Sequence, residues 1–557
     1  MKKLPVGVEN FKRMIKENYY YVDKTMFIKE FLEHRDQVNL FVRPRRFGKT
    51  LNMSMFQEFF EISREGSRLF GGLAISRYED IMENHCSKYP VINLSFKGAK
   101  QIDFNNSSLS LRRAISREYA RHFEAVQAYP LLKKRINRIL ESEGTNEDYL
   151  DSIQLLTEIL YAFYNKEVIV IIDEYDVPLE NAYFGGFYEE MMNFVRSLLE
   201  SALKTNNYLK FGILNGCLRI SRESIFTGLN NLSIISILDT NYSEHFGFTE
   251  TEVKEMLQYY GISKKSDLVR EWYNGYEFGN TNVYNPWSVI QIVRDFTQNQ
   301  DAFPLSYWGN TSSNSIIRDL IMRADGTTKE EIEKLLAGQD IIKQIHEDIT
   351  YIEIEESMDN LWNFLFFTGY LTKTHTEIRD NGDRFFTLEI PNKEVAYIFR
   401  NKIIKWFNET ISNNDWTDFY IALLRKDTVV IEDTLNNILI NSISYEDYHE
   451  NYYHGFMVGL LSGMNLKEYT IESNREAGKG RGDIIVRHIN QNGKAIIFEL
   501  KYTVQANAME SLANQAIRQI EEQQYDRALL QAGFGKDNII KYGVCFHKKS
   551  CLVKVKI

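Results

Sequence analysis

Eight prolines in 557 residues, and no stretch rich in Pro, Gly or Ser, leave little material for a flexible tether between domains. The domains are expected to pack together and not to hang on linkers. No internal repeat is visible. The four cysteines, Cys86, Cys217, Cys545 and Cys551, are scattered without the spacing of a metal site. They read as reduced thiols of a cytoplasmic protein, with only Cys545 and Cys551 close in sequence. No run of about 18 apolar residues occurs, so no membrane-spanning helix is expected. The start, "MKKLPVGVEN", has two lysines but no apolar segment behind them, which argues against a secretory signal. A positive balance is missing too. The net charge of −10 speaks against blanket electrostatic binding of nucleic acid.

What remains is an ordinary globular composition, 44% hydrophobic and 25% charged, with 33 Tyr and 35 Phe to fill large cores. The length suggests three or four domains of about 150 residues each. The charge is uneven. Residues 451–557 hold fifteen Lys and Arg against ten Asp and Glu, a local balance of +5 that permits a phosphate-binding face.

The stretch "FVRPRRFGKTL", residues 41–51, ends like a phosphate-binding loop in Gly48, Lys49 and Thr50. Where that pattern has its first glycine, this chain has Arg43. Residues 37–44 read as a strand. Leu51, Met55, Phe59 and Ile62 recur at helical spacing behind the loop. In that context the backbone N–H groups of Arg46, Gly48 and Leu51 and the helix N-terminus would hold phosphates. Lys49 would reach the β- and γ-phosphates of ATP, and the Thr50 hydroxyl would sit on Mg²⁺. Arg43, Arg45 and Arg46 are expected to raise the local positive charge.

A lone G-K-T carries little weight, and its partner decides. "KEVIVIIDEYDVP", residues 166–178, is a continuous apolar strand ending in Asp173 and Glu174. Asp173 would hold the Mg²⁺ shell and Glu174 would polarise the attacking water. The bland alternative is that the two acids only cap the strand. A further apolar strand near 209–215 ends in Asn215, the place of a γ-phosphate sensor. Arg219 follows, either as a sensor, as a finger to a neighbouring copy in a homo-oligomer, or in plain structural contacts. Asp23 is a candidate to help enclose the base.

The middle, residues 246–435, shows helical patterns. Thr249 and Glu252 form a capping-box signature, and Asn285-Pro286 opens another helix. "LWNFLFFTGYLTKTHTEIRDNGDRFFTLEIPN" predicts a helix and then a hairpin turned at Asn381-Gly382, the outline of a winged helix.

The C-terminal run "GDIIVRHINQNGKAIIFELKYT" predicts two strands joined at Asn492-Gly493. The first presents Asp483. The second presents Glu499 and Lys501, two apart and therefore on one face. Two carboxylates can bind Mg²⁺ or Mn²⁺, and a lysine can orient water or stabilise a phosphate transition state. The set points to a metal-dependent phosphodiesterase, and a plain cross-strand salt bridge is the alternative. Upstream, His449-Glu450 tempts one towards zinc, but His454 stands one residue too far for H-E-x-x-H. Glu450 and His454 share a helix face, and His454 is a candidate extra metal ligand. Gln519, Tyr525, Glu472, Glu476, Lys548 and Lys549 are candidates to assist.

At these residues the chain resembles a known family. "YYVDKT", "RPRRFGKT", "IIDEYD" and "SIFTGLNN" look like the bacterial AAA-ATPase-like proteins that carry a C-terminal PD-(D/E)XK nuclease-superfamily domain, matched here by "GKGRGDIIV" and "FELKY". The resemblance covers essentially the whole chain. It implies an α/β multidomain protein: a P-loop NTPase parallel sheet over residues 1–245, a helical lid and winged-helix-like region over 246–435, and an αβββαβ nuclease-like domain over 436–557. It implies ATP, Mg²⁺ or Mn²⁺ as cofactors and nucleic acid, DNA more than RNA, as partner. His454 matches in order a helical histidine of some of these nucleases. Gln519 and Tyr525 depart from the family spacing because they are six apart. Three functions compete: an ATPase controlling a nuclease, a nucleotide-gated switch that binds without cutting, and an ATP-driven remodelling ring.

Overall fold

The computed structural model describes residues 1–62, 65–204, 206–218, 226, 231–309, 326–336, 338–347, 359–380, 382–399, 416–441, 450–461, 464, 468–477 and 480–556. Two compact units result: Met1–Ile317 with Ile342–Tyr397, and Arg318–Ile341 with Ile398–Ile557.

The first unit is built on five parallel strands: β1 (Val38–Val42), β2 (Val91–Ser95), β3 (Val168–Asp173), β4 (Leu209–Gly216) and β5 (Leu232–Ile235). Their order is β2-β3-β4-β1-β5. Every residue of β1 and β3 is buried, as expected of inner parallel strands covered on both faces. Because all five run the same way, Ser95, Asp173, Asn215 and the loop after Val42 lie along one edge. That is the edge at which open α/β sheets bind ligands.

The helix Lys49–Phe60 follows β1. It buries Met55 and Phe59, as the spacing predicts, but stops two residues before Ile62. Glu61 leaves the helix in an extended conformation and bridges to Tyr89, so Ile62 is exposed. Next comes a small sheet of β6 (Phe248–Thr249), β7 (Tyr276–Phe278) and β8 (Thr281–Tyr284). The helix Glu250–Tyr259 starts on the predicted Thr249/Glu252 capping box. The helix Pro286–Gln298 starts on Asn285, whose side chain accepts from the Ser288 N–H. The predicted helix and hairpin are present as Asp359–Phe367 and two strands. With β9 (Ile341–Gln344), β10 (Thr372–Ile378) and β11 (Arg384–Glu389) form a sheet of order β10-β11-β9.

The second unit holds a mixed sheet in sequence order: β12 (Tyr469–Ala477), β13 (Gly480–His488), β14 (Ala495–Tyr502), β15 (Ile539–His547) and β16 (Ser550–Val555). Only the β14–β15 pair is parallel. Alternation gives the sheet two distinct faces. Ile484, Val486, Phe498 and Leu500 pack on one side with Tyr453, Phe456 and Met457 of the helix Glu450–Leu461. Ile485 and Ile497 lie on the other, with Ile520 of the helix Met509–Glu522 and with Tyr525. That second helix comes unusually close at Gly543, where a Cβ would meet the Ala513 carbonyl at 2.3 Å. All four cysteines are free, and no helix among the described residues is long and apolar enough to cross a membrane.

Candidate functional site

The loop from Arg43 to Gly48 closes on itself through Lys49, whose Nζ donates to the carbonyls of Arg43 and Pro44, both at 2.9 Å. Arg46 (φ 70°) and Gly48 (φ 83°) adopt left-handed conformations, which turn neighbouring N–H groups toward a common point. The N–H groups of Phe47 to Leu51 donate to no acceptor among the described residues. Five free donors at a helix N-terminus, beside a buried lysine, fit a polyphosphate.

Asp173 faces this loop from the end of β3. It is almost fully buried, and burial raises its pKa against the pull of Asn215, Thr50 and Lys49. Among the described residues, its Oδ1 completes no hydrogen bond of ordinary geometry. A buried carboxylate oxygen beside the Thr50 hydroxyl is a donor set suited to a hard cation. Glu174 is held at φ 55°, its N–H donating to Asn215 Oδ1 at 3.2 Å. Burial and then the neighbouring Asp173 raise its pKa. A cleft of about 320 Å³ opens beside Thr50 and Asp173.

In the second unit, Ile484 pairs with Phe498, so Asp483 and Glu499 stand at the adjoining step of the ladder. The Leu500 N–H donates to Asp483 Oδ2 at 2.7 Å. Glu499 is buried to 2% exposure, and Lys501 Nζ lies 2.9 Å from its Oε1. On the same face Gln519 Nε2 donates to the Tyr525 hydroxyl at 3.1 Å. The Tyr525 pKa is raised first by burial, then by Glu499 and Asp483, which places the phenol within their field. Two carboxylates, a lysine, an amide and a phenol therefore converge. The two acids would suit a divalent cation. Among the described residues no group of three or more His, Cys, Asp and Glu is arranged to hold a metal.

Comparison with known proteins finds one family over the N-terminal part of the chain and another at its C-terminal part. A family described as predicted AAA-ATPase matches residues 5–226, and the PD-(D/E)XK nuclease superfamily matches residues 448–556. The chain carries an AAA-ATPase-like domain and a PD-(D/E)XK domain. It is also similar to an uncharacterized protein of the vnfD 5' region in Azotobacter chroococcum mcd 1, 27% identical over 94% of this chain and 93% of that protein.

Within the AAA-ATPase-like domain, the arginine-rich entry is not a uniform phosphate lure. Arg43 is fully buried and donates through Nη1 to the carbonyls of Val42 and Ile235, both at 2.9 Å. It lies over the rings of Phe246 and Phe278, at 5.0 and 5.5 Å from their centroids. The expectation that it adds phosphate charge is thus corrected: apolar surroundings take the guanidinium inward. Arg45 pairs with Glu180 at 2.5 Å, and Arg46 lies over Trp287 at 4.4 Å. Asp23 caps its own chain, accepting from Thr25 and from the Ala74 N–H. Arg219 lies outside the described residues.

Sequence reading missed Asp176. This buried acid accepts the N–H groups of Cys217 at 2.6 Å and Leu218 at 3.2 Å, so it clamps the turn that follows Asn215. Its place three residues after Asp173 in "DEYD" was the available signal. Cys217 Sγ sits 3.4 Å from Lys49 Nζ.

Within the PD-(D/E)XK domain, His454 touches Asp483 at its main-chain oxygen, 3.0 Å from Nε2, and not at its carboxylate. Glu472 is paired with Arg487 across the ladder. Lys548 and Lys549 form the β15–β16 turn. The side chains of Glu450 and Glu476 lie outside the described residues.

Proposed function

We propose that the protein binds and hydrolyses ATP in its N-terminal domain and uses it to control phosphodiester cleavage of nucleic acid, DNA before RNA, in its C-terminal domain. The observation that carries this reading is the convergence of Asp483, Glu499 and Lys501 on one sheet face, with Glu499 held 2.9 Å from the lysine. The proposed division is 1–245 for the nucleotide domain, 246–435 for lid and winged-helix-like region, and 436–557 for the nuclease. The protein works in the cytoplasm.

At the first site, the loop N–H groups and Lys49 bind and orient the phosphates, with Arg46, Gly48 and Leu51 in the loop wall. Thr50 and Asp173 would hold Mg²⁺, which when bound neutralises phosphate charge. Glu174 takes the proton of the attacking water, and burial and then the neighbouring Asp173 raise its pKa, which makes it a stronger base. Asn215 fixes the Glu174 backbone and reads the γ-phosphate, and Arg219 acts as sensor or finger, the latter in a homo-oligomer. At the second site, Asp483 and Glu499 would hold Mg²⁺ or Mn²⁺, which supplies Lewis acidity at the scissile phosphate. Lys501 orients the water and offsets charge on the phosphate. His454 steadies the strand at Asp483 through Nε2, leaving only Nδ1 to ligate.

Glu499→Ala should abolish cleavage of labelled DNA and leave nucleotide affinity unchanged. Cleavage that persists in this variant removes the nuclease assignment. Wild-type protein that binds nucleotide tightly, turns it over very slowly and never cuts would instead be a nucleotide-gated switch.

A further inference from the structure

The cleft beside Thr50 and Asp173 has a wall that the two sequence motifs do not supply. It comes from the N-terminal segment, including Glu9, and from the turn after β2, including Lys97. β2 is the neighbour of the acid-bearing strand: Ser95 is paired with Asp173, and the Phe96 N–H donates to the Asp173 carbonyl at 2.9 Å. Lys97 is the next residue, so its backbone is tethered to the metal-binding end of β3. Its side chain forms an ion pair with Glu9, Nζ to Oε2 at 3.1 Å, in which both partners are about half exposed. Such a pair contributes little and exchanges easily. Lys97 also acts on Asp173 and Glu174 through space, opposing in small part the burial that raises the pKa of each.

Lys49 approaches the phosphates from the loop side, where it is anchored to Arg43 and Pro44. Nothing in the two motifs neutralises the side facing β2. A lysine on a four-carbon stem, fixed at its backbone and loosely held at its tip, is suited to that task.

We propose that Lys97 is a γ-phosphate ligand: in the free protein Glu9 holds its ammonium, and a nucleoside triphosphate takes it over. This rests on the reading of the first site as an ATP site. A diphosphate lacks the group that Lys97 would touch, so the lysine distinguishes the two nucleotides. Glu9 is then a counter-ion that the γ-phosphate displaces, which couples the N-terminal segment to the state of the nucleotide.

The test is calorimetric binding of ADP and of the non-hydrolysable analogue AMP-PNP, with Mg²⁺, to the full chain and to Lys97→Gln. Loss of a charge-assisted hydrogen bond predicts AMP-PNP affinity about tenfold or more weaker. ADP affinity is expected to be unchanged and doubles as the folding control. Glu9→Gln should tighten AMP-PNP in the wild-type background and do nothing in the Lys97→Gln background. Equal affinities of wild type and Lys97→Gln for AMP-PNP overturn the proposal while leaving the ATP reading intact, and so does an equal loss for both nucleotides. A wild-type protein that binds neither nucleotide overturns both.

Discussion

Replacing Arg43 by glycine would restore the usual first residue of a phosphate loop, and by sequence logic should improve it. The structure predicts the reverse. The change removes a fully buried side chain with two hydrogen bonds of 2.9 Å to main-chain carbonyls and contact with two aromatic rings. Each charge-assisted bond contributes about 1.5–3 kcal/mol. Part of that is offset, because Nε and Nη2 are buried without hydrogen-bond partners among the described residues and burial pulls the guanidinium pKa down to about 9. Adding the cavity, Arg43→Gly should cost about 3–5 kcal/mol, a large share of the roughly 5–15 kcal/mol that holds a typical domain. Arg43→Met keeps the volume, sheds the desolvation penalty and should stay within about 2 kcal/mol of wild type. Urea unfolding midpoints of the three proteins, read beside ADP affinity, check this. A glycine variant as stable as wild type, with tighter nucleotide binding, would refute the assignment of Arg43 as a core residue.

Two further outcomes follow from buried groups. Glu394 accepts from the N–H groups of Tyr307 and Trp308 and from the Ser288 hydroxyl, yet burial raises its pKa from 4.5 to about 7. The folded chain therefore keeps a proton that the unfolded chain loses, and stability contributed by this group falls as pH rises from about 4.5 through about 7. The loss is on the order of 3 kcal/mol. Denaturation midpoints at pH 5.5 and 8 should show it in wild type, and Glu394→Gln should flatten it; an unaltered slope in that variant contradicts the assignment. Gly543→Val would drive a Cβ into the Ala513 carbonyl beside Glu499, costing about 1–3 kcal/mol and displacing the helix that carries Gln519. Cleavage should fall far more than stability; full activity would show that the close approach is not needed.

The strands that hold the candidate site residues were legible because each is an apolar run broken abruptly by a polar residue. β3 ends at Asp173, β4 carries Asn215, and β14 presents Glu499 and Lys501 from an otherwise buried strand. Alternation along β13 and β14 was enough to bring Asp483 to the same face. What sequence could not show depends on distant partners. Arg43 looks like its neighbours Arg45 and Arg46, and only the rings of Phe246 and Phe278, some 200 residues on, mark it as a core residue. Lys97 has no local signal at all; its position comes from the β2–β3 pairing. The end of the helix before Ile62 likewise depends on a bridge to Tyr89.

The most direct measurement is cleavage of labelled single- and double-stranded DNA with Mg²⁺ or Mn²⁺, with and without ATP, beside Lys501→Ala. Cleavage that responds to ATP in the wild type and is lost in the variant is expected. Equal cleavage by both proteins, or none by the wild type under any of these conditions, would contradict the proposed function.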